Sequence, residues 1–279
     1  MKTILKILTC IILSFNFTSY AFTSTGSKDI TLIVNAKVGG TNYVRSNLYI
    51  KALSDAGYNV KEINQPDTRV AVTMFNEINE PTVMTYVSNQ PTIYPLQASS
   101  KNFVMIEMAQ PMFICQSKNF TKKELYTVGI GKAIPQTPFV KLFKSLGYKV
   151  KMIPYTNSSA VYKGFLGGDV DFMVNSQSTS LKFMQSQSGK CIGQTLSKEH
   201  LGVPSLEKTT KLKNLPVLYY TIMAKNIDIN LLRKDLKQII MNNSEIVSYH
   251  KKIQAIVLNE DYKKELQIVK DSEKVWMGK

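Results

Sequence analysis

The sequence predicts an α/β protein of two lobes, each an open sheet flanked by helices, with a cleft between them. The first observation behind this is a near-repeat. Residues 30–34 are a short apolar, β-branched run that passes through Gly39 and Gly40 into a helix-like stretch, a stop at Gly57 and a second run over 58–63. Residues 126–130 start the same series again, with a stop at Gly147 and a run over 148–153. Each copy reads as strand, loop, helix, glycine stop, strand, which is the parallel unit of an open sheet. The second observation is the order of the remaining segments. Strands are expected at 82–87 and 103–108 between the copies, and at 218–224 after them, followed by two or three amphipathic helices over 231–275. The chain then crosses between lobes near 111–116 and again near 216–222, and two crossings make a hinge.

The elements follow from local pattern. Val44, Leu48, Ile50 and Leu53 recur at helical spacing from Asn42 onward, and Gly57 suits a left-handed stop. Pro81, Pro91, Pro95 and Pro111 punctuate the strands of the first lobe. In the second copy Thr137 is a good N-cap and Pro138 fits the first helical position. A further helix is expected from about Ser158 to Gly167 and Gly168, with a strand after it.

Composition narrows the class. Lys2 and Lys6, an apolar run over 7–17 and the small-residue pattern at Ser19 and Ala21 read as a signal peptide over 1–21. Thr9 before Cys10 argues against a lipoprotein. The expected division is therefore 1–21 signal peptide, 22–112 first lobe, 113–216 inserted second lobe, and 217–279 completing the first lobe. The formal charge of +15 falls to about +13 without the two signal lysines. The lysines are scattered and not interleaved with aromatics, so no nucleic-acid partner is expected, and a solvated basic exterior would still speed encounter with an anion. Cys115 and Cys191 survive signal removal. An exported protein can bridge them, or keep them as two buried thiols. His200 and His250 fall in no metal-ligand spacing, and no nucleophile elbow or carboxylate pair is present. No metal, no cofactor and no enzymatic activity are expected.

Several stretches resemble the periplasmic receptors of tripartite tricarboxylate transporters (the Bug family), within the type II periplasmic-binding fold. Gly39, Gly40, Thr41 and Asn42 follow the first strand, as the family's glycine turn and Thr-Asp do. Ile153, Pro154 and Tyr155, then Leu166, Gly167, Gly168, Val170 and Asp171, match a second-lobe pattern, with weaker likeness at 201–207 and at Trp276. The first turn is a glycine short, Asn42 stands for the family's Asp, Lys37 enters the loop, and Ser46 replaces an arginine, with Arg45 beside it. The resemblance implies a periplasmic Venus-flytrap receptor that closes on a small di- or tricarboxylate and delivers it to integral-membrane transporter subunits, as a monomer. A secreted basic interaction or adhesion protein, or a two-lobed enzyme, is the alternative.

The expected ligand contacts lie on three loops. Lys37, Val38, Gly39, Gly40, Thr41 and Asn42 form the first, where backbone N–H groups and a helix N-terminus can hold a carboxylate. Gly129, Gly131, Gln136 and Thr137 occupy the matching place in the second copy. Asn175, Ser176 and Gln177 follow a strand at the carboxyl edge of the sheet. Lys37 would pair with the second carboxylate of a di-acid, and a carboxylate held between Thr41 and Thr137 would meet two helix ends.

Overall fold

The computed structural model describes residues 28–88 and 102–277. The expected signal segment, Pro91 and Pro95 lie outside the described residues. The first unit is β1 (Asp29–Val34), α1 (Thr41–Asp55) and β2 (Asn59–Asn64). β1 and β2 pair in parallel from Asp29↔Asn59 to Val34↔Asn64. Between α1 and β2, Gly57 takes φ +85°, a left-handed turn that only glycine adopts without strain. α2 (Thr68–Glu77) follows, its first turn held by the Asp67 carboxylate, which accepts from the Arg69 and Val70 N–H groups. β3 (Thr82–Val87) is buried throughout.

β4 (Phe103–Ser117) is one 15-residue strand that runs through Pro111, where the sequence suggests a strand over 103–108 only. Its first part pairs antiparallel with β9 up to Pro111↔Val217, and its second part pairs with β7 from Met112↔Ser176 onward. Proline cannot donate to a ladder. Pro111 sits where the strand changes partners, and the next amide, Met112 N, donates to the Thr195 hydroxyl at 2.9 Å.

The second unit is β5 (Tyr126–Gly131), α3 (Thr137–Ser145) and β6 (Val150–Tyr155), with β5 and β6 parallel from Tyr126↔Val150 to Gly131↔Tyr155. Gly147 repeats the role of Gly57 at φ +83°. Then come α4 (Ser158–Leu166), β7 (Phe172–Ser176), α5 (Gln177–Gln185), β8 (Gly189–Gln194) and α6 (Leu206–Thr210). β9 (Val217–Lys225), α7 (Ile229–Asn242), α8 (Ser244–Lys252), β10 (Ile256–Val257) and α9 (Tyr262–Trp276) end the described chain.

The strand order is β2-β1-β3-β9-β4-β7-β5-β6, with β8 and β10 also on β4. β4 thus joins two sheet halves, each with its own core. Leu32, Leu53, Leu232 and Leu236 pack one half, and Val128, Phe139, Phe143 and Phe172 pack the other. Cys115 on β4 and Cys191 on β8 face each other in register and are joined by a disulfide. The C-terminal helices do not all stay on the first half, as the sequence suggests. α7 and α8 pack there, but α9 carries Val269 in one core and Trp276 in the other. The Trp276 ring lies 6.2 Å from Phe139, and its indole N–H donates to the Val217 carbonyl at 3.2 Å.

Candidate functional site

The loop after β1 is built to leave N–H groups open. Gly39 adopts φ +80°, where a side chain would be strained. Gly40 is the cap residue of α1 and offers no side-chain bond to the helix, so the first turn keeps its orphan donors. The Gly40 N–H itself donates to the Lys37 carbonyl at 3.1 Å. Lys37 and Val38 are exposed, Val38 to 75 %.

Beneath this loop lies a buried polar chain. Asn42 Nδ2 donates to the Asn35 carbonyl at 2.8 Å, and Asn42 Oδ1 accepts from Arg45 Nη2 at 2.7 Å. Arg45 forms an ion pair with Glu107 of β4, and the other Glu107 oxygen meets His250 Nε2 of α8 at 2.8 Å. Burial pushes the Glu107 carboxyl up, but Arg45 and the His250 hydrogen bond outweigh it and hold the group below the ordinary glutamate range. The Arg45 guanidinium also lies over the Tyr220 ring, 5.2 Å from its centroid. Ser46 donates to the Asn42 carbonyl at 2.7 Å and shares a hydrogen bond with Thr85 at 2.8 Å. Arg45 is therefore neutralised inside the protein. It fixes the start of α1 and does not present its charge to a ligand.

The end of β7 faces this loop. Asn175 and Ser176 are the last residues of the strand and do not follow it, as the sequence suggests. Asn175 is consumed locally, donating to the Ser158 carbonyl at 3.0 Å and accepting from Ser176 N at 3.0 Å. Ser176 caps α5 without a side-chain cap bond, so this helix start also keeps its donors. Its hydroxyl lies 3.3 Å from that of Ser178, and the Ser178 hydroxyl lies 3.3 Å from that of Thr41. The Tyr249 hydroxyl, its pKa pushed up to about 12 by burial, donates to the Thr41 carbonyl at 3.3 Å. Two helix starts and three small hydroxyls converge here, a set of donors aimed at an anion.

Other expected contacts are placed differently. Gln177 is fully buried: Nε2 donates to the Ile253 carbonyl at 2.8 Å and to that of Gln254, and Oε1 meets His200 Nε2 at 2.8 Å. It ties α5 to the turn after α8 and is saturated by protein. Asn42 is likewise engaged at both ends of its amide. Gly129 is a packing residue: it sits between Ile153 and Met173 in the sheet, and a Cβ there would come within 3.1–3.3 Å of Val170, Val161 and Tyr155. Gly131 ends β5 and accepts from Ile134 N at 2.8 Å. Thr137 is the first helical residue and Gln136 the cap, one place earlier than the sequence suggests. Both are exposed, and no hydrogen bond joins them to α1 or α5 among the described residues. The helix start that meets Thr41 is that of α5, not α3.

Sequence reasoning therefore misses Ser178 and Tyr249, and with them the pairing of Arg45 with Glu107. Ser178 had a usable signal, since it extends the polar run at a carboxyl edge by one residue. Tyr249 and Glu107 are brought in from far along the chain and had none.

No family model and no curated protein matches this sequence. Solved structures do. A TctC solute-binding protein from Polaromonas, without ligand, superposes with a TM-score of 0.71 at 15% identity over 91% of this chain and 98% of its own. The periplasmic binding protein BugD gives 0.68 at 16% identity, over 90% and 95%. MatC from Rhodopseudomonas palustris with bound malate gives 0.69 at 14% identity, over 90% and 98%. The chain has the two-lobed α/β fold of these periplasmic solute-binding proteins, with a cleft between the lobes.

Proposed function

We propose that this chain is an extracytoplasmic receptor. It captures a small di- or tricarboxylate between its lobes and hands it, as a monomer, to transporter subunits in the membrane. The lobes we assign are 22–112 with 217–279, and the inserted 113–216. The observation that carries the reading is the meeting of two helix starts without side-chain caps, those of α1 and α5, at Thr41, Ser176 and Ser178. One carboxylate sits there, bonded by the backbone N–H groups of Gly39 and Thr41 and by the three hydroxyls. Charge-assisted bonds of this kind contribute roughly 1.5–3 kcal/mol each. Lys37 takes the second carboxylate from the exposed side of the loop. Malate in the structurally similar MatC fits this chemistry. The β4 and β9 crossings act as the hinge.

Calorimetry with malate and with a mono-acid of similar size tests the reading. Lys37→Ala should weaken the di-acid at least tenfold and leave the mono-acid nearly unchanged. Gly40→Val brings a side chain against the Lys37 carbonyl, 3.2 Å from the Cβ position, and should abolish binding of both. Unchanged affinity in the Gly40 variant would remove this loop from the site. In the wild type, a ligand at about 100 times its dissociation constant raises stability by roughly 2.7 kcal/mol.

A further inference from the structure

The basic charge of the chain belongs to one lobe. Residues 113–216 hold 15 lysines against 5 Asp and Glu, whereas residues 22–112 and 217–279 together hold 18 Lys and Arg against 15 Asp and Glu. Within the second lobe, Lys118, Lys122, Lys123 and Lys149 lie at the amino edge of the sheet, beside the starts of β5, β6 and β7. Lys122, Lys123 and Lys149 surround a shallow depression whose floor is Phe120, Tyr126 and Tyr148. Phe120 stacks on Tyr126 with ring centroids 5.2 Å apart. Lys118 stands nearby on the same β4–β5 loop, and Leu125 of that loop is 54 % exposed. Lys123 is paired with Asp171 at 2.5 Å, but Lys118, Lys122 and Lys149 form no ion pair among the described residues. The corresponding edge of the first lobe is different in kind: its depression is lined by Asp29, Lys61 and Glu80.

We propose that the β4–β5 face of the second lobe docks the receptor on an anionic lipid bilayer. Protein–protein interfaces are depleted in lysine and favour the bidentate fork of arginine. Hydrated ammonium groups around an exposed leucine and a shallow aromatic floor suit headgroups and the apolar boundary below them. The geometry is compatible with capture of a small ligand. The face lies at the amino ends of β5 and β6, whereas Thr41 and Ser178 lie past the carboxyl ends of β1 and β7 and Ser176 is the last residue of β7. Docking therefore leaves the cleft mouth in solution.

Co-sedimentation of the mature chain with vesicles tests this directly. Phosphatidylglycerol mixed into phosphatidylcholine should bind it at low salt, where the Debye length is roughly 30 Å, and release it near 1 M, where it is about 3 Å. Each lysine near such a surface is worth about fivefold in affinity, so Lys118→Gln, Lys122→Gln and Lys149→Gln together should cost about a hundredfold. Lys252→Gln, Lys263→Gln and Lys270→Gln remove the same charge from the first lobe and should cost less than about fivefold. Equal losses in the two sets would mean that net charge alone acts, and the proposal would fall. Indifference to phosphatidylglycerol, or capture by soluble polyglutamate without capture by vesicles, would overturn it equally. Malate calorimetry on the first triple variant separates this face from the cleft, because affinity there should not change.

Discussion

The two strand–helix–strand units share a backbone and differ in what they bury at the helix start. In both, the parallel strands pair over six residues and a left-handed glycine ends the helix. α1 enters its half through Asn42, Arg45 and Ser46, a polar chain completed by Glu107 and His250. α3 enters through Pro138, Phe139, Leu142 and Phe143, an apolar anchor. One unit is held by matched charges and hydrogen bonds, which fix direction but tolerate no missing member. The other is held by packing, which is strong and undirected. The difference has a local cause: the start of α1 is oriented from below by side chains, whereas that of α3 is seated by apolar packing.

The largest expected effect comes from breaking either anchor. Glu107→Ala leaves Arg45 buried without a counter-charge and should cost about 3–5 kcal/mol by urea denaturation. Phe139→Ala should cost a similar 3–5 kcal/mol through the cavity it leaves beside Trp276. The two losses separate with pH. The Glu107 carboxyl is held below its unfolded value, so its contribution is fully present above about pH 4.5 and is lost as pH falls through the lower, folded value. The deficit of Glu107→Ala relative to wild type should therefore shrink in acid, while that of Phe139→Ala persists. Parallel curves would show that the first anchor is not held by charge.

A smaller effect belongs to the Cys115–Cys191 bridge, which closes a loop with a sequence separation of 76. Reduction should lower the unfolding free energy by roughly 2–4 kcal/mol. Thiol titration of the denatured, unreduced chain should find Cys115 and Cys191 unreactive, and two reactive thiols in the mature protein would remove the bridge. Smaller still are the glycine positions. Gly129→Ala should cost about 1–3 kcal/mol by crowding Val170, Val161 and Tyr155, without any direct loss of ligand contact. Gly40→Ala should do the reverse, weakening ligand while changing stability by less than about 1 kcal/mol. If both variants lose stability and neither loses binding, the assignment of roles to the two units is wrong.

Much of this fold was legible because its signals are local. Apolar β-branched runs marked β1 and β5, and Gly57 and Gly147 marked the helix ends within a residue or two. α2, α5 and β8 were harder. α2 starts on an Asp67 cap, and α5 follows β7 with no intervening loop, so periodicity had no clear boundary to find. The candidate site was less legible than the fold. Glycines next to a helix start predicted the first loop, but its opposite wall depends on which loops the two halves bring together. Thr137 looked equivalent to Thr41 by repeat symmetry, whereas the topology sets Ser178 there. Asn42 and Gln177 looked like ligand groups because polar side chains near a carboxyl edge are ambiguous until their partners are known, Asn35 and Arg45 nearby for Asn42 and the distant Ile253 for Gln177.

The continuous strand β4 also dictates an order of events for a chain that emerges from its N-terminus. β3 gains its antiparallel neighbour β9 only when Val217–Lys225 has appeared, since Thr82 must find Lys225 across that span. The stretch from β5 to β8 needs no such wait, and its pairings close among themselves and with the end of β4. Loop closure over so long a separation is slow, and exposed strand edges are prone to aggregate in the interval. The inserted half can therefore fold first and hold β4 extended, so that the later half is completed on a template already in place.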